Sequence, residues 1–376
     1  MLYYENMMTL IVLQMYAVAF VTLMYVLLKL VRAEKLRFRD KNIPRMDNTP
    51  TVSVCIAARN EMHTMTTCLE SVLASTYPKL EIIVLDDNST DETSHVVRAF
   101  AHAGVRFVAG KNLPDDWLGR NFALETLLEE SSGKYVLFLD VDARLKPETI
   151  DLLMRQRAVD DVAMVTVVPQ RADMWRQSAW FGTLRYFWEI IFHSQRSPGV
   201  SSSAWLIDRH VLRDTLGGLS RWRDMVQPEQ AIARMLTASD YRLVISTADL
   251  GLTYEKKWLS QIEASRRVLL PRFGNSVANA VVGAGLLAVI VLPQVVIILS
   301  LIGGWSIQFW GAVVVGVMSL VCGALYYRLV WARGWILSPI MATYVAWQEL
   351  FVLLSSIEGY HRGTVVWKDR PVSRPE

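Results

Sequence analysis

The hydrophobic positions of this chain form long unbroken runs near both ends and short runs between them. Residues 7–30 are almost wholly apolar, enough for the ~20 residues that a spanning helix needs. Lys29, Arg32, Lys35, Arg37, Arg39 and Lys41 follow, and such a basic excess marks the cytoplasmic end of a span. A cleaved signal peptide carries its basic residues ahead of the apolar run, so the pattern predicts an uncleaved anchor with its N-terminus outside. Residues 273–327 carry no charged side chain and break near Gly303-Gly304 into two lengths, each able to cross a bilayer. A third apolar stretch, residues 335–356, contains Gln348 and Glu349, which are costly in lipid unless they face protein or water. A full crossing there would put the basic tail, including His361 and Arg374, outside, against the positive-inside rule, so a re-entrant or interfacial segment stands beside a third span.

Between these runs, residues 51–254 alternate short apolar segments with amphipathic ones, the pattern of an α/β domain on a mostly parallel sheet. Val52-Ser53-Val54-Cys55-Ile56-Ala57-Ala58 reads as a first strand, with a helix beginning near Asn60 and Glu61. Residues 80–85 read as a second strand running into Asp86-Asp87-Asn88-Ser89-Thr90-Asp91. Residues 134–139 read as a third, ending at Asp140-Val141-Asp142. Acidic residues therefore stand at the carboxyl ends of two strands, where open α/β sheets bind ligands. The chain divides into an anchor (1–32), a basic linker (33–50), the α/β domain (51–272), a membrane region of two or three helices (273–356) and a basic tail (357–376).

Composition narrows the picture. A hydrophobic content of 52% is high for a soluble enzyme and agrees with a part in lipid. The net charge of +3 gives no ground for a nucleic-acid partner. Cys55, Cys68 and Cys322 lie far apart without a metal spacing, which fits a reducing compartment, and the six histidines are dispersed.

Two carboxylates one residue apart at a strand end, Asp140 and Asp142, suit a divalent cation, one oxygen facing the metal and another a ribose or a water. An acidic pair in a loop is more often merely solvated, and position at the end of a buried-type strand is what favours chemistry here. In the second cluster Ser89, Thr90 and Asp91 are explained by capping the next helix. Adjacent Asp86 and Asp87 need a counter-ion or ligand, and a carboxylate there can accept the N3–H of a uracil-like base.

Taken in order, Ala57-Ala58-Arg59-Asn60-Glu61, Tyr77-Pro78, Asp86-Asp87-Asn88-Ser89-Thr90-Asp91, Trp117-Leu118-Gly119-Arg120-Asn121-Phe122-Ala123 and Asp140-Val141-Asp142 resemble the family 2 glycosyltransferases, over residues 51–272. The resemblance implies a GT-A fold, a nucleotide-sugar donor and Mg²⁺ or Mn²⁺. It implies that Ala57, Arg59, Glu61 and Asp86 or Asp87 lie at the nucleotide, that Gly119 and Arg120 lie near the diphosphate, and that Asp140, Val141 and Asp142 carry ribose and metal. Lys is common at the Arg120 position, and Arg keeps the charge while adding a fork suited to phosphate. An acidic pair about eleven residues before the strand at Asp240-Tyr241-Arg242 supplies the family's base, which counts back to Glu229, with Pro228 where a Glu is usual; Asp224 is the alternative base. Glu229 also opens a helix, where a carboxylate is favoured without any chemistry. Processive relatives carry Gln-x-x-Arg-Trp; this chain has only Arg266 and Arg267 in that region, which serve either the diphosphate or membrane topology. The departure favours transfer of a single sugar to a lipid or lipid-linked hydroxyl; the resemblance implies inversion, and the basic run after residue 30 implies the cytoplasmic face of the inner membrane. Trp367-Lys368-Asp369-Arg370 resembles a Trp-Lys-Gly-Arg ending of some membrane relatives, which implies a cytoplasmic tail.

Trp180, Leu184, Phe187, Trp188 and Ile191 fall on one face of a helix expected over 174–193, with Arg176, Arg185 and Glu189 elsewhere, which reads either as core packing or as an interfacial helix steering a lipid acceptor. Two other functions remain open: a lipid transporter, for which ionisable residues within 273–327 are expected and missing, and an inactive scaffold that binds sugar nucleotides without a base.

Overall fold

The computed structural model describes residues 2–39, 44, 46, 48–172, 181–182, 184–236, 239–303, 307–331, 334–336, 338–368 and 370–372. A helix α1 (Leu2–Ala33) precedes the domain, which runs β1 (Val52–Ala58), α2 (Met62–Leu73), β2 (Leu80–Asp86), α3 (Thr93–Ala99), β3 (Val105–Ala109), α4 (Gly119–Glu130), β4 (Tyr135–Leu139), β5 (Ala143–Arg144) and α5 (Thr149–Asp160). It continues through β6 (Met164–Val168), β7 (Gln170–Arg171), α6 (Phe187–Ile191), β8 (Ala204–Asp208), α7 (Pro228–Met235), β9 (Tyr241–Ile245), β10 (Thr253–Tyr254) and α8 (Trp258–Arg272). Then come α9 (Val277–Gly303), α10 (Ile307–Val330), α11 (Ser338–Arg362) and a hairpin of β11 (Val366–Trp367) with β12 (Arg370–Pro371).

Seven strands form one sheet in the order β3-β2-β1-β4-β8-β6-β9, all parallel to their neighbours except β8, which runs against both β4 and β6. β1 is covered on both faces, which is why it reads as a continuous apolar run: Val54 and Ile56 pack on one side, Cys55 on the other. A second, three-stranded sheet, β5-β10-β7, crosses the carboxyl end of the first and carries the chain after Tyr254 back beside β4. The basic linker is not a loose connection. The Phe38 N–H donates to the Ile245 carbonyl at 2.8 Å, and Arg37 bridges to the edge of β9.

Among the described residues three helices, α1, α9 and α10, are long and apolar enough to cross a membrane. α1 and α10 touch closely: a Cβ on Gly311 would lie 2.6 Å from the Tyr16 ring. Arg328 at the end of α10 stands 3.8 Å from Glu34, just after α1, so both helices end on the domain's side.

α11 is not one of the three. Its polar residues find partners on the domain: Glu349 accepts from Trp188 Nε1 at 2.8 Å and the Leu184 N–H at 3.2 Å, and Gln348 accepts from Trp258 Nε1 at 3.0 Å. Further along, Arg266 donates to the Ser355 carbonyl, Leu270 N–H to Ser356 Oγ, and Tyr360 Oη to the Arg267 carbonyl. Helix α11 thus lies along α8, and the tail returns to the domain. The geometry favours the interfacial segment over a third C-terminal span. The helix expected over 174–193 is shorter where it can be seen, only Phe187–Ile191, with Trp188, Glu189 and Ile191 buried; Trp180 and Arg176 lie outside the described residues. Its described part packs as core.

With the native cysteines buried, single cysteines at Asp115 and Arg362 are expected to react with a membrane-impermeant maleimide from the same side of the membrane. Labelling from opposite sides would mean that α11 crosses.

Candidate active site

The carboxyl ends of β1, β2 and β4 meet at one cleft. After β1, Asn60 turns through φ 53° and its Oδ1 accepts the Thr90 N–H at 2.8 Å, locking the β1 and β2 loops together. Asp91 accepts from the N–H groups of Thr93 and Met62, the capping role expected of it. The acidic neighbours diverge. Asp86 spends both carboxylate oxygens on the hydroxyls of Ser89 and Ser94, so it braces the loop. Asp87 turns to Arg370, 2.7 Å away, and burial raises its pKa despite Arg370 and Arg59. Arg59 donates to the Asp87 and Lys368 carbonyls at 2.6 and 3.1 Å, so it too is a brace.

β4 delivers Asp140 half-buried and Asp142 buried, with Val141 packed inward away from the cleft, so that Val141 offers no side chain to a nucleotide. Because β10 pairs with β5, the chain after Tyr254 passes Asp142: the Glu255 N–H donates to the Asp142 carbonyl at 3.2 Å and Lys256 Nζ lies 2.7 Å from Asp142 Oδ2. Burial alone would raise the pKa of Asp140, but Lys256, Arg185, Arg120 and Arg267 hold it below the usual carboxylate range. Arg267 shows the reverse. Burial and the guanidiniums of Arg120 and Arg185 push its pKa down, the mark of a cation cluster that favours an anion among its members.

α4 starts at Gly119, where a Cβ would approach the Arg370 guanidinium to 2.6 Å. Asn121 on its buried face donates to the carbonyls of Trp222, Arg223 and Met225 at 3.0, 3.1 and 2.7 Å, fixing the loop that leads into α7. Glu229, in the first turn of α7, is fully buried, 3.2 Å from Arg120 NH1, and takes the Ser202 hydroxyl on its other oxygen. It stands behind the cleft wall made by Arg120 and Ser202. Asp224 is exposed on the preceding loop and lines no part of the cleft. Of the adjacent pair Arg266 and Arg267 on α8, Arg267 enters the cleft and Arg266 turns to α11.

The cleft runs from Ala57 and Glu61 past Asp140 to Trp188, Glu189 and Glu349, where the domain meets α11. It opens into a wider recess of about 630 Å³ at Asp142, Lys256 and Trp258, a size suited to a small-molecule ligand. Its lining carries seven cationic and four acidic side chains, an excess that favours an anion. Among the described residues no three metal-ligating side chains converge. Mg²⁺ commonly takes only one or two carboxylates, with phosphate oxygens and water completing the shell, so Asp140 and Asp142 fit as donors, provided Lys256 yields Asp142. Sequence reasoning missed Lys256, Arg185 and the buried Glu189–Arg272 pair, since each acts across a long loop.

Residues 53–215 match the family model described as glycosyl transferase family 2. This segment, less than half of the chain, is similar to family 2 glycosyltransferase domains. The chain is similar to an uncharacterized glycosyltransferase, YibD, of Escherichia coli (strain K12), 32% identical over 119 residues, which are 31% of this chain and 33% of that protein. It is similar also to the glycosyltransferase AglE of Haloferax volcanii, 36% identical over 97 residues, 25% of this chain and 31% of that one. The chain thus spans about a third of the length of these curated relatives. Its fold is that of the mannosyltransferase PcManGT from Pyrobaculum calidifontis, solved in complex with GDP-Man and Mn2+, with a TM-score of 0.56 at 19% identity, covering 92% of this chain and 98% of that one. The GT-A architecture and mostly parallel sheet are therefore as the motifs implied.

Replacing Asn121 by Ala removes the side-chain amide that ties the Trp222, Arg223 and Met225 carbonyls to α4, the first two of which keep a backbone partner. A loss of about 2–3 kcal/mol is expected, read as a lower melting temperature in detergent, whereas Asn121→Asp should fare no better because it has no N–H to give.

Proposed function

We propose that this protein is a membrane-bound glycosyltransferase that moves one sugar from a nucleoside-diphosphate donor to a hydroxyl of a lipid or lipid-linked acceptor. The observation that carries the reading is Asp140, a carboxylate at a strand end facing Lys256, Arg185, Arg120 and Arg267 in a cleft that continues to the membrane-docked helix α11. Lys256 and Arg120 are paired with Asp142 and Glu229, so Arg185 and Arg267 are the cations left to meet a diphosphate leaving group. Asp140 and Asp142 would hold Mg²⁺ or Mn²⁺, which when bound neutralises charge developing on the diphosphate. Asp87, buried beneath Arg370 at the end of β2, has the carboxylate suited to the base of the donor, with uridine the expected nucleoside, and Ala57 and Glu61 line the adjoining cleft. The catalytic domain and tail are assigned to the cytoplasmic side of the cell's inner membrane, from the basic run after α1.

Glu229 is the base in this reading. It does not face the acceptor directly; the Ser202 hydroxyl donates to it and forms the cleft wall, which gives a path for the acceptor proton through one intervening group. Arg120 holds the other oxygen of Glu229 at 3.2 Å and so fixes the carboxylate behind Ser202. Attack from the side opposite the nucleotide inverts the anomeric centre, as the resemblance implies.

Detergent-purified protein supplied with UDP- and GDP-sugars, Mn²⁺ and host lipid extract should release nucleoside diphosphate. Asp142→Asn is expected to abolish release, and Glu229→Gln to lower the rate ~10²–10⁴-fold with donor binding retained. Release unaffected by Glu229→Gln would remove this base. Binding without release from any donor would leave a sugar-nucleotide scaffold.

A further inference from the structure

The chain beyond α11 is a short hairpin, and it does not pack away from the cleft. Trp367 pairs with Arg370 and Val366 with Pro371, and this strap lies across the outer side of the β1 and β2 loops. Arg370 NH1 is 2.7 Å from Asp87 Oδ2, and Lys368 Nζ is 2.7 Å from Glu61 Oε1 and 3.3 Å from the Asn60 carbonyl. The Lys368 carbonyl in turn accepts from Arg59 Nε. Trp367 lines both recesses of the cleft, and Lys368 lines them with it. Lys368 adopts φ 49°, a left-handed conformation that costs a residue with a side chain of this size and that its contacts must hold in place.

Two features separate this strap from an ordinary terminal contact. Each strand is two residues long, too short for a hairpin to hold itself, so its position depends on the ion pairs. Those pairs fall on Asp87 and Glu61, two acidic residues of the wall assigned above to the donor. A Cβ on Gly119 would lie 2.6 Å from the Arg370 guanidinium and 3.2 Å from the Trp367 ring, so the strap packs directly on the start of α4. The strap lies outside residues 53–215, the part of the chain that the family model describes.

We propose that residues 366–371 form the movable outer wall of the donor site, and that Lys368 and Arg370 bind the diphosphate of a nucleoside diphosphate, releasing Glu61 and Asp87 to the nucleoside. This rests on the donor reading given above. A guanidinium forks onto phosphate oxygens as well as onto a carboxylate, so Arg370 exchanges one charge-assisted partner for another instead of losing one. Lys368 does the same as a point charge. The nucleotide then gains two cations, and the two carboxylates are freed together.

The test is equilibrium binding of UDP, GDP and the corresponding nucleosides to the full-length protein in detergent, for wild type, Arg370→Gln, Lys368→Gln and Arg370→Lys. Each Gln variant is expected to weaken the diphosphate about 10-fold while leaving nucleoside binding unchanged or tighter, and Arg370→Lys to keep most of the affinity. That split, with rescue by Lys, is not what a merely structural tail would give. Diphosphate binding that is unchanged overturns the proposal, and binding that tightens in the Gln variants overturns it in favour of a plug that competes with the donor. Wild-type protein that binds neither diphosphate sinks the donor reading itself, an outcome visible before any variant is compared.

Discussion

A half-buried carboxylate pair at the end of a strand is tolerated only where positive charge is brought to it, and much of this molecule is arranged around that requirement. Asp140 and Asp142 end β4, but the cations facing them come from β10, α4, α8 and the segment before α6. Each arrives through a different part of the fold. The three-stranded sheet exists to turn the chain so that Lys256 reaches Asp142, and α8 reaches the cleft because α11 grips its outer side. The cations exceed what the carboxylates neutralise, so the ring that stabilises Asp140 also prepares a seat for an anion.

The membrane-associated helices take part in that arrangement. α11 places Glu349 against Trp188 and Leu184, and its last turns hold Arg266 away from the cleft while leaving Arg267 within it. Glu189 and Arg272 form a buried pair between α6 and the end of α8. An unpaired charge at that depth would be strongly unfavourable, so the pair ties the start of the membrane region to the catalytic domain. The cleft is therefore built at a boundary, with the carboxyl ends of the strands on one side and apolar helices on the other.

Much of this was legible in the sequence, for reasons that differ by element. β1, β2 and β4 announce themselves because strands buried on both faces need unbroken apolar residues, and α9 and α10 because 55 residues without charge have few other uses. Asp140, Asp142, Gly119, Arg120 and Arg267, picked out by motif and position, all line the cleft or its adjoining recesses. What the sequence concealed is pairing across distance. Nothing near Lys256 or Arg370 signals that they meet Asp142 and Asp87, 114 and 283 residues away. The same limit made Glu349 read as a cost in lipid, when its partners lie on the domain. Asp86 and Asp87 were equivalent by composition, and only their partners, serines for Asp86 and Arg370 for Asp87, separate a brace from an ion-paired carboxylate.

The most direct test is a structure of the protein with a nucleoside diphosphate and Mn²⁺. The account predicts the metal at Asp140 and Asp142 and the diphosphate among Arg120, Arg185 and Arg267, with Lys256 withdrawn from Asp142 and with Lys368 and Arg370 turned from Glu61 and Asp87 onto the phosphates. A nucleotide seated away from the ends of β1, β2 and β4, with Lys256 still on Asp142, would contradict it.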